Sequence, residues 1–210
     1  MRVSFAVMGH ESRRTAAEAL ATTTGATLHM DDGHLGENAN GDHAWAAHDP
    51  AADWHVVLQD DALPVPGFVD QVHAALAVAP ATAVSFYVGT SMPFQTVGPV
   101  RYAIDLADRT GAAWLESCSL HWGVGVAMPT RSVTDFLAWA QGCALPYDER
   151  IGAFWRRIRH TPVRYTWPSL VDHADGPTTL KHPDGRPRDL PRRAYRTGGR
   201  DGWATGPVRY

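Results

Sequence analysis

The hydrophobic positions of this chain occur in short runs whose spacing alternates between that of strands and that of helices. Residues 3–8 form a mostly apolar run, which is typical of a buried strand, and residues 13–23 follow as an Ala-rich segment that predicts a helix. Gly25 stands where that helix would end, since glycine commonly terminates helices. Residues 26–30 and 54–58 predict two more strands. A strand, a helix and a second strand in this order are typical of α/β proteins.

The rest of the chain continues this alternation with less regularity. A polar loop is expected through Asn40, followed by a short helix over residues 41–48. Further helices are predicted at 68–78, 100–109, 132–141 and from Tyr147 onward, and further strands at 83–88, 114–117, 121–128 and 163–166. The pattern predicts a mainly parallel sheet flanked by helices.

The end of the chain has a different composition. Residues 176–210 contain 11 glycines and prolines in 35 positions. Such a density favours loops over regular elements. We therefore expect one α/β domain over residues 1–175 and a C-terminal arm over residues 176–210 that lies outside the core.

Composition narrows the class of protein. The 210 residues are 44% hydrophobic and 20% charged, which fits one globular domain and excludes a disordered or fibrous chain. The longest apolar runs are far shorter than the roughly 20 residues that cross a bilayer, so a soluble cytoplasmic protein without a membrane partner is expected. Cys118 and Cys143 lack a CxxC spacing and predict two buried free thiols, not a zinc site or a disulfide framework.

The net charge of −3 divides unevenly along the chain. Residues 1–149 carry 6 basic and 17 acidic side chains, a sum of −11, whereas residues 150–210 carry 13 basic and 5 acidic ones, a sum of +8. A basic block of this kind can bind a polyanion, such as the phosphates of a nucleotide or a nucleic acid. A solvated tail that balances an acidic body explains the same charges.

Two adjacent carboxylates give the strongest chemical signal. Gln59, Asp60 and Asp61 follow directly on a predicted buried strand. Ligands of open α/β sheets bind at the carboxyl ends of the strands, and two neighbouring carboxylates there need a cation to compensate them. Mg²⁺ or Mn²⁺ suits carboxylate oxygens and keeps coordination positions for substrate phosphates. On these residues alone, an exposed turn that caps a helix is the more common explanation of such a pair.

With their surroundings, these residues resemble the short acidic metal motif of GT-A glycosyltransferases. Residues 59–64 match the variant with consecutive acids and a nearby proline, although Gln59 stands where Glu or Asp is often found. Five further motifs come in the order expected of the small glycosyltransferases of actinobacterial phages: the loop at 9–14, Asp31, and the segments 121–123, 148–149 and 168–173. The resemblance covers about residues 3–173.

The resemblance implies a GT-A-like fold and a nucleotide-sugar donor, with a UDP-sugar expected. It places His10, Arg13 and Asp60 at the donor's nucleotide and diphosphate, and Asp31 at the nucleoside. Two of these roles have structural alternatives. Arg13 also fits a helix start whose arginines face water, and Asp31 also fits an Asx turn before a glycine.

The resemblance also implies a metal ion and a general base. Asp61 and His173 would hold Mn²⁺ or Mg²⁺ at the donor diphosphate, although a lone histidine is more often structural. Asp148 and Glu149, at a predicted helix start, stand where inverting enzymes of this kind carry the base that deprotonates the acceptor hydroxyl. Acids in a first helical turn also complement the helix dipole. Asp148 is the preferred base.

The acceptor implied is a hydroxymethylated pyrimidine in phage DNA, favoured by the basic C-terminal residues, or else a phage structural protein or glycan. Two other functions fit parts of the pattern. A nucleotidyltransferase would use the same acids but should carry a Gly-rich phosphate loop, which the sequence lacks. A non-catalytic nucleic-acid-binding module would use the basic residues and dispense with the acids.

Overall fold

Strand β1 (Val3–His10) forms the centre of the N-terminal half of the fold because its middle residues are apolar and buried on both faces. It pairs in parallel with β2 (Thr27–Asp31) on one side and with β3 (Trp54–Gln59) on the other. This parallel pairing brings the carboxyl ends of the three strands to one edge of the sheet.

The computed structural model describes residues 1–91, 94–175 and 191–210. Strands β4 (Ala62–Pro64) and β9 (Val171–His173) form a separate antiparallel pair. Five more strands join the large sheet: β5 (Val84–Ser85), β6 (Trp114–Ser117), β7 (Gly125–Pro129), β8 (Val163–Thr166) and β10 (Pro207–Arg209). The order is β10-β6-β8-β5-β7-β3-β1-β2, and four of the seven pairings among the described residues are parallel.

Helices cover both faces of the large sheet. They are α1 (Arg14–Thr24), α2 (Glu37–Ala46), α3 (Phe68–Leu76), α4 (Phe94–Thr110), α5 (Val133–Ala140) and α6 (Tyr147–Phe154). Successive side chains of a strand point to opposite faces, so Phe5 and Val7 pack with α1 and α3, whereas Ala6 and Met8 pack with α2, α5 and α6. The predicted α/β class, with a mainly parallel sheet flanked by helices, is confirmed.

Several element bounds differ from the predicted ones. Helix α2 begins at residue 37 instead of 41, α4 at 94 instead of 100, and β7 at 125 instead of 121. Strands β4 and β9 were not predicted. Gly41 lies inside α2 and Pro99 lies inside α4, beside the starts that were predicted for these helices. Tertiary contacts here override the local break signals that glycine and proline give.

The C-terminal residues take part in the core. Trp203 is 3% exposed and its ring lies 5.4 Å from that of Trp114, whose indole N–H donates to the Trp203 carbonyl at 2.8 Å. Strand β10 extends the sheet beyond β6 and buries Val208. The expectation that residues 176–210 lie outside the core is therefore wrong for Trp203 and Val208. Residues 176–190 lie outside the described ranges.

Arginines fasten this C-terminal segment to the body. The Arg200 guanidinium donates to the carbonyls of Gly111 and Ala112, at 2.8 and 3.2 Å, and to that of Trp167 at 3.1 Å. Arg196 pairs with Asp108 and lies over the Trp167 ring, 4.6 Å from its centroid. Part of the positive charge that the sequence concentrates here is thus used in intramolecular contacts.

The cysteines and the helices can be compared with what the composition predicts. Both cysteines are free, but Cys118 is exposed and Cys143 is only partly buried, so the prediction of two buried thiols is wrong. Among the described helices, none is long and apolar enough to cross a membrane.

We predict that Trp203→Ala lowers the free energy of unfolding by about 3 to 5 kcal/mol, because it removes a buried indole and leaves a cavity against Trp114. Urea denaturation monitored by circular dichroism measures this. Tyr102→Ala, at an aromatic residue that is 63% exposed, is the control and should change the value by less than about 0.5 kcal/mol. Equal effects of the two substitutions would contradict the assignment of Trp203 to the core.

Candidate functional site

The structure brings most of the predicted donor-site residues together at the carboxyl ends of β1 and β3. His10 is the last residue of β1, and Asp60 and Asp61 come directly after β3. The backbone N–H of His10 donates to Asp60 Oδ2 at 2.7 Å, and that of Asp60 donates to the Met8 carbonyl at 3.1 Å. These bonds fix the acidic pair against the end of β1.

The Arg13 guanidinium connects the two carboxylates. Its Nη1 lies 2.9 Å from Asp60 Oδ1 and 2.6 Å from Asp61 Oδ2. Burial disfavours the charge on Arg13, but the two aspartates outweigh this and raise its pKa, so the side chain stays cationic. Arg13 immediately precedes α1, and its predicted partner was a substrate phosphate; in the structure its partners are the acids.

His173 reaches the same place from the C-terminal half of the chain. Strand β9 pairs with β4 so that His173 lies opposite Ala62, the residue after Asp61. The imidazole Nε2 is 3.3 Å from Asp61 Oδ2. Burial lowers the pKa of His173 even though the Asp61 carboxylate opposes the shift, which favours the neutral imidazole. The predicted proximity of Asp61 and His173 is thus present.

A cavity of about 440 Å³ opens beside this ionic cluster. The first residues of α1, Arg14 to Ala16, line it together with Arg13 and the two aspartates. The N–H groups of a helix's first turn have no partners within the helix and attract anions. Glu11 lines it too, and the Arg14 N–H already donates to the Glu11 carbonyl, so a phosphate group there would be held by the remaining first-turn N–H groups and by the two arginines.

As arranged, these residues do not fit a resident divalent cation. Asp60 uses both oxygens for protein donors, and Asp61 Oδ2 contacts both Arg13 and His173. Among the side-chain oxygens and nitrogens of Asp60, Asp61 and His173, only Asp61 Oδ1 and His173 Nδ1 have no hydrogen-bond partner in the part of the chain that the structure describes. No group of three or more His, Cys, Asp or Glu side chains among the described residues has metal-binding geometry.

Asp31 caps the loop that follows β2. Its Oδ1 accepts the N–H groups of Gly33 and Leu35, at 2.8 and 3.0 Å, and its Oδ2 accepts that of Gly36 at 2.9 Å. Burial works against the charge, but these backbone donors outweigh it and lower the pKa of the carboxyl. This geometry is the Asx-turn alternative, and the predicted nucleoside contact of Asp31 stays a prediction.

Asp148 and Glu149 lie at the start of α6, where a buried ring holds the helix in place. Tyr147 is fully buried between α2 and the loop before β7. A Cβ added at Gly41 would come within 2.4 Å of this ring, and one added at Gly123 within 2.8 Å. Burial raises the pKa of Asp148 to about 6, and the neighbouring Glu149 carboxylate adds to the shift. Glu149 itself is exposed.

Glu37, which the sequence analysis did not single out, connects the two groups of acids. Its Oε1 accepts a hydrogen bond from Gln59 Nε2 at 3.2 Å. Burial raises the pKa of Glu37 to about 7, and the charges of Asp148 and Asp61 both contribute. The carboxyls of Asp148 and Asp61 therefore both lie within electrostatic reach of Glu37. A Gly-Glu pair at a helix start is the available sequence signal, and it was assigned to a loop.

A larger cavity, of about 850 Å³, lies at the opposite edge of the sheet. Met1, Trp54 and Pro129 line it, close to the amino ends of β1 and β3 and to the end of the antiparallel strand β7. It contains none of the residues of the ionic cluster. We place the candidate site at the smaller cavity because the charged side chains and raised carboxyl pKa values are on that side.

No protein-family model and no curated protein sequence matches this chain. Among solved structures, it is similar to the crystal structure of a glycosyltransferase involved in the glycosylation of the major capsid of PBCV-1. The two chains are 11% identical, and the alignment covers 77% of this chain and 80% of the other, with a TM-score of 0.35. At these values the likeness carries no information about substrate or mechanism.

We predict that Glu37→Gln increases stability above neutral pH. A carboxyl whose pKa rises from its usual 4.5 to about 7 on folding binds more protons in the folded state, so its contribution falls as pH rises through that interval. Glutamine does not ionise, so the variant does not lose stability in this pH interval. Each pKa unit corresponds to about 1.4 kcal/mol, and solvent at the open side of the cleft reduces the expected gain at pH 8 to roughly 2 kcal/mol.

Urea denaturation of both proteins at pH 5, 6, 7 and 8 measures this difference. The gain should be small at pH 5 and level off above about pH 7. Glu18→Gln, at a glutamate of α1 whose side chain is 54% exposed, is the matched control. A pH-independent difference for Glu37→Gln would show that this carboxyl is not perturbed.

Proposed function

We propose that this chain transfers a sugar from a nucleotide sugar to an acceptor hydroxyl. The observation that carries the proposal is the position of Glu37, whose Oε1 accepts from Gln59 Nε2 at 3.2 Å directly before Asp60 and Asp61, and whose pKa is raised by burial and by the charges of both Asp148 and Asp61. The proposal takes Asp148, as a carboxyl suited to general-base catalysis, and the cavity beside Asp61, as a place for phosphate, to be parts of one site. A glycosyl transfer from a diphosphate donor needs both features in one site.

The donor's phosphates are assigned to the cavity at the N-terminus of α1. Arg13 and Arg14 line it, and the first-turn N–H groups of the helix supply further donors. His10 and Asp60 lie beside it at the ends of their strands, as expected for residues that contact a nucleotide at the carboxyl edge of an α/β sheet. A UDP-sugar is the proposed donor.

Asp148 is assigned as the base. With a pKa of about 6 it is mostly ionised at pH 7 and still basic enough to accept a proton. It removes the proton of the acceptor hydroxyl as that oxygen bonds to the anomeric carbon. The bond from the anomeric carbon to the diphosphate oxygen breaks at the same time, and the nucleoside diphosphate leaves with the electron pair. Attack on the face opposite the leaving group inverts the anomeric centre.

The proposal names a hydroxyl acceptor, and a hydroxymethylated pyrimidine in DNA is one of those to be tested. The basic C-terminal segment supports DNA less than its sequence suggests, because Arg196 and Arg200 already donate to carboxylates or carbonyls of the body. For the same reason these two arginines do not favour a non-catalytic nucleic-acid-binding module. Arg186 and Arg188 lie outside the described residues.

We predict that Asp148→Asn lowers the rate of sugar transfer by about 10² to 10⁴-fold, the usual loss when a general base is removed. Donor affinity should be unchanged, because the base acts on the acceptor during transfer. A screen of nucleotide sugars by thermal shift first identifies the donor. Transfer is then followed by mass spectrometry of hydroxylated acceptors, and donor binding by calorimetry.

Asp70→Asn is the matched control, since Asp70 is also an acid in the first turn of a helix, α3, and is exposed. It should retain full transfer. Equal loss of donor binding and transfer in Asp148→Asn would move Asp148 to the donor site. Stabilisation by none of the nucleotide sugars would reject the proposed donor class.

A further inference from the structure

We infer that the Arg13 guanidinium takes the place of a divalent cation at Asp60 and Asp61, and that the site binds the phosphates of a nucleoside diphosphate without a metal ion. The first half of this inference concerns only the side chains of this chain. The second half rests on the proposed function. The two halves are tested by different measurements, so that they can fail independently.

Most of the carboxylate oxygens of this acidic pair are already used by protein donors. Of the four oxygens of Asp60 and Asp61, two accept from Arg13 Nη1, at 2.9 and 2.6 Å. A third, Asp60 Oδ2, accepts the backbone N–H of His10 at 2.7 Å. Only Asp61 Oδ1 has no partner among the described residues. One guanidinium nitrogen thus lies between the two carboxylates, where an ion shared by both would lie.

The buried charges of Asp60 and Asp61 also favour Arg13 over a metal ion. Asp60 and Asp61 are 6% and 8% exposed, so their two adjacent charges need compensation from nearby. The Arg13 side chain is 18% exposed and remains charged because the aspartates raise its pKa. A metal ion that took both carboxylates would leave a partly buried guanidinium without its counter-ions. Breaking a buried ion pair in this way is strongly unfavourable.

Further arginines, Arg192 and Arg193, lie on the His173 side of the site. Arg193 Nη1 donates to the His173 carbonyl at 3.1 Å, and its Nε lies 3.5 Å from Asp172 Oδ2. Arg192 directly precedes Arg193 in the chain. Together with the N-terminus of α1, these groups offer charge-assisted donors to a diphosphate. The ligand chemistry is therefore that of a nucleoside diphosphate recognised by guanidinium groups.

The first test measures Mn²⁺ alone, by calorimetry and by the electron paramagnetic resonance signal of the free ion. Wild-type protein should show no saturable binding. Arg13→Met removes the charge but keeps an apolar stem, so the carboxylate pair becomes available, and we expect Mn²⁺ affinity to rise at least about tenfold, or ~1.4 kcal/mol. Arg2→Met, which removes an exposed arginine paired with Asp49 away from the cavity, is the control and should match wild type.

Two results of this first test would overturn the inference. One is stoichiometric Mn²⁺ binding by wild-type protein that is lost in Asp61→Asn. The other is an Arg13→Met variant that gains no Mn²⁺ affinity. If Arg13→Met does not fold alone, recovery of its circular dichroism on addition of Mn²⁺ is the expected result, and failure to recover overturns the inference equally. Arg13→Lys keeps a positive charge and should remain as indifferent to Mn²⁺ as wild type.

The second test measures UDP binding to wild-type protein in EDTA and in Mn²⁺. Equal affinity in the two conditions is expected, and binding only in Mn²⁺ would overturn metal-free phosphate recognition. Absence of UDP binding in both conditions, together with Mn²⁺ gained by Arg13→Met, would reject the proposed donor while leaving the cation role of Arg13 in place. The failure of one proposal is thereby distinguished from the failure of the other.

Discussion

Two adjacent carboxylates at the end of a buried strand must be neutralised, and the structure around the site depends on how this is done. Arg13 supplies the charge, and because it directly precedes α1, the ion pair also fixes the start of that helix against the end of β3. The backbone N–H of His10 and the imidazole of His173 complete the contacts. One electrostatic requirement thus joins β1, β3, α1 and β9 at a single point.

The second group of acids, Asp148 and Glu149, is positioned by the packing of a buried side chain and not by an ion pair. Tyr147 has no room to move, since its ring contacts the backbone of α2 at Gly41 and the loop at Gly123. Asp148, the next residue, is therefore held at the cleft although it makes no ion pair that would hold it there among the described contacts. Burial outweighs the hydrogen bond that Asp148 accepts from the Glu149 N–H and keeps its pKa near 6, and burial likewise raises the pKa of Glu37.

The sequence was informative where the physical reason is local. Apolar runs predicted β1 and β3, and the need of Asp60 and Asp61 for a cation was evident from their position after a strand. The sequence did not show which cation this is, because no local signal indicates that the Arg13 side chain contacts Asp60, 47 residues further along the chain. Burial of Trp203 was equally hidden, since a single tryptophan in a Gly-rich segment has no periodicity. The pKa of Glu37 depends on residues distant in sequence.

Strand β7 has a consequence for the order of folding. It inserts antiparallel between β3 and β5, and it joins residues as far apart in sequence as Trp54 and Pro129. Pairings of such long range form slowly because loop-closure entropy is lost before the contacts are gained. Arg13 and its acids lie within the first 61 residues, whereas Asp148 and His173 come from the last third of the chain. The complete site therefore exists only when these long-range pairings have formed, so a chain that lacks them holds the ion pair without the rest of the site.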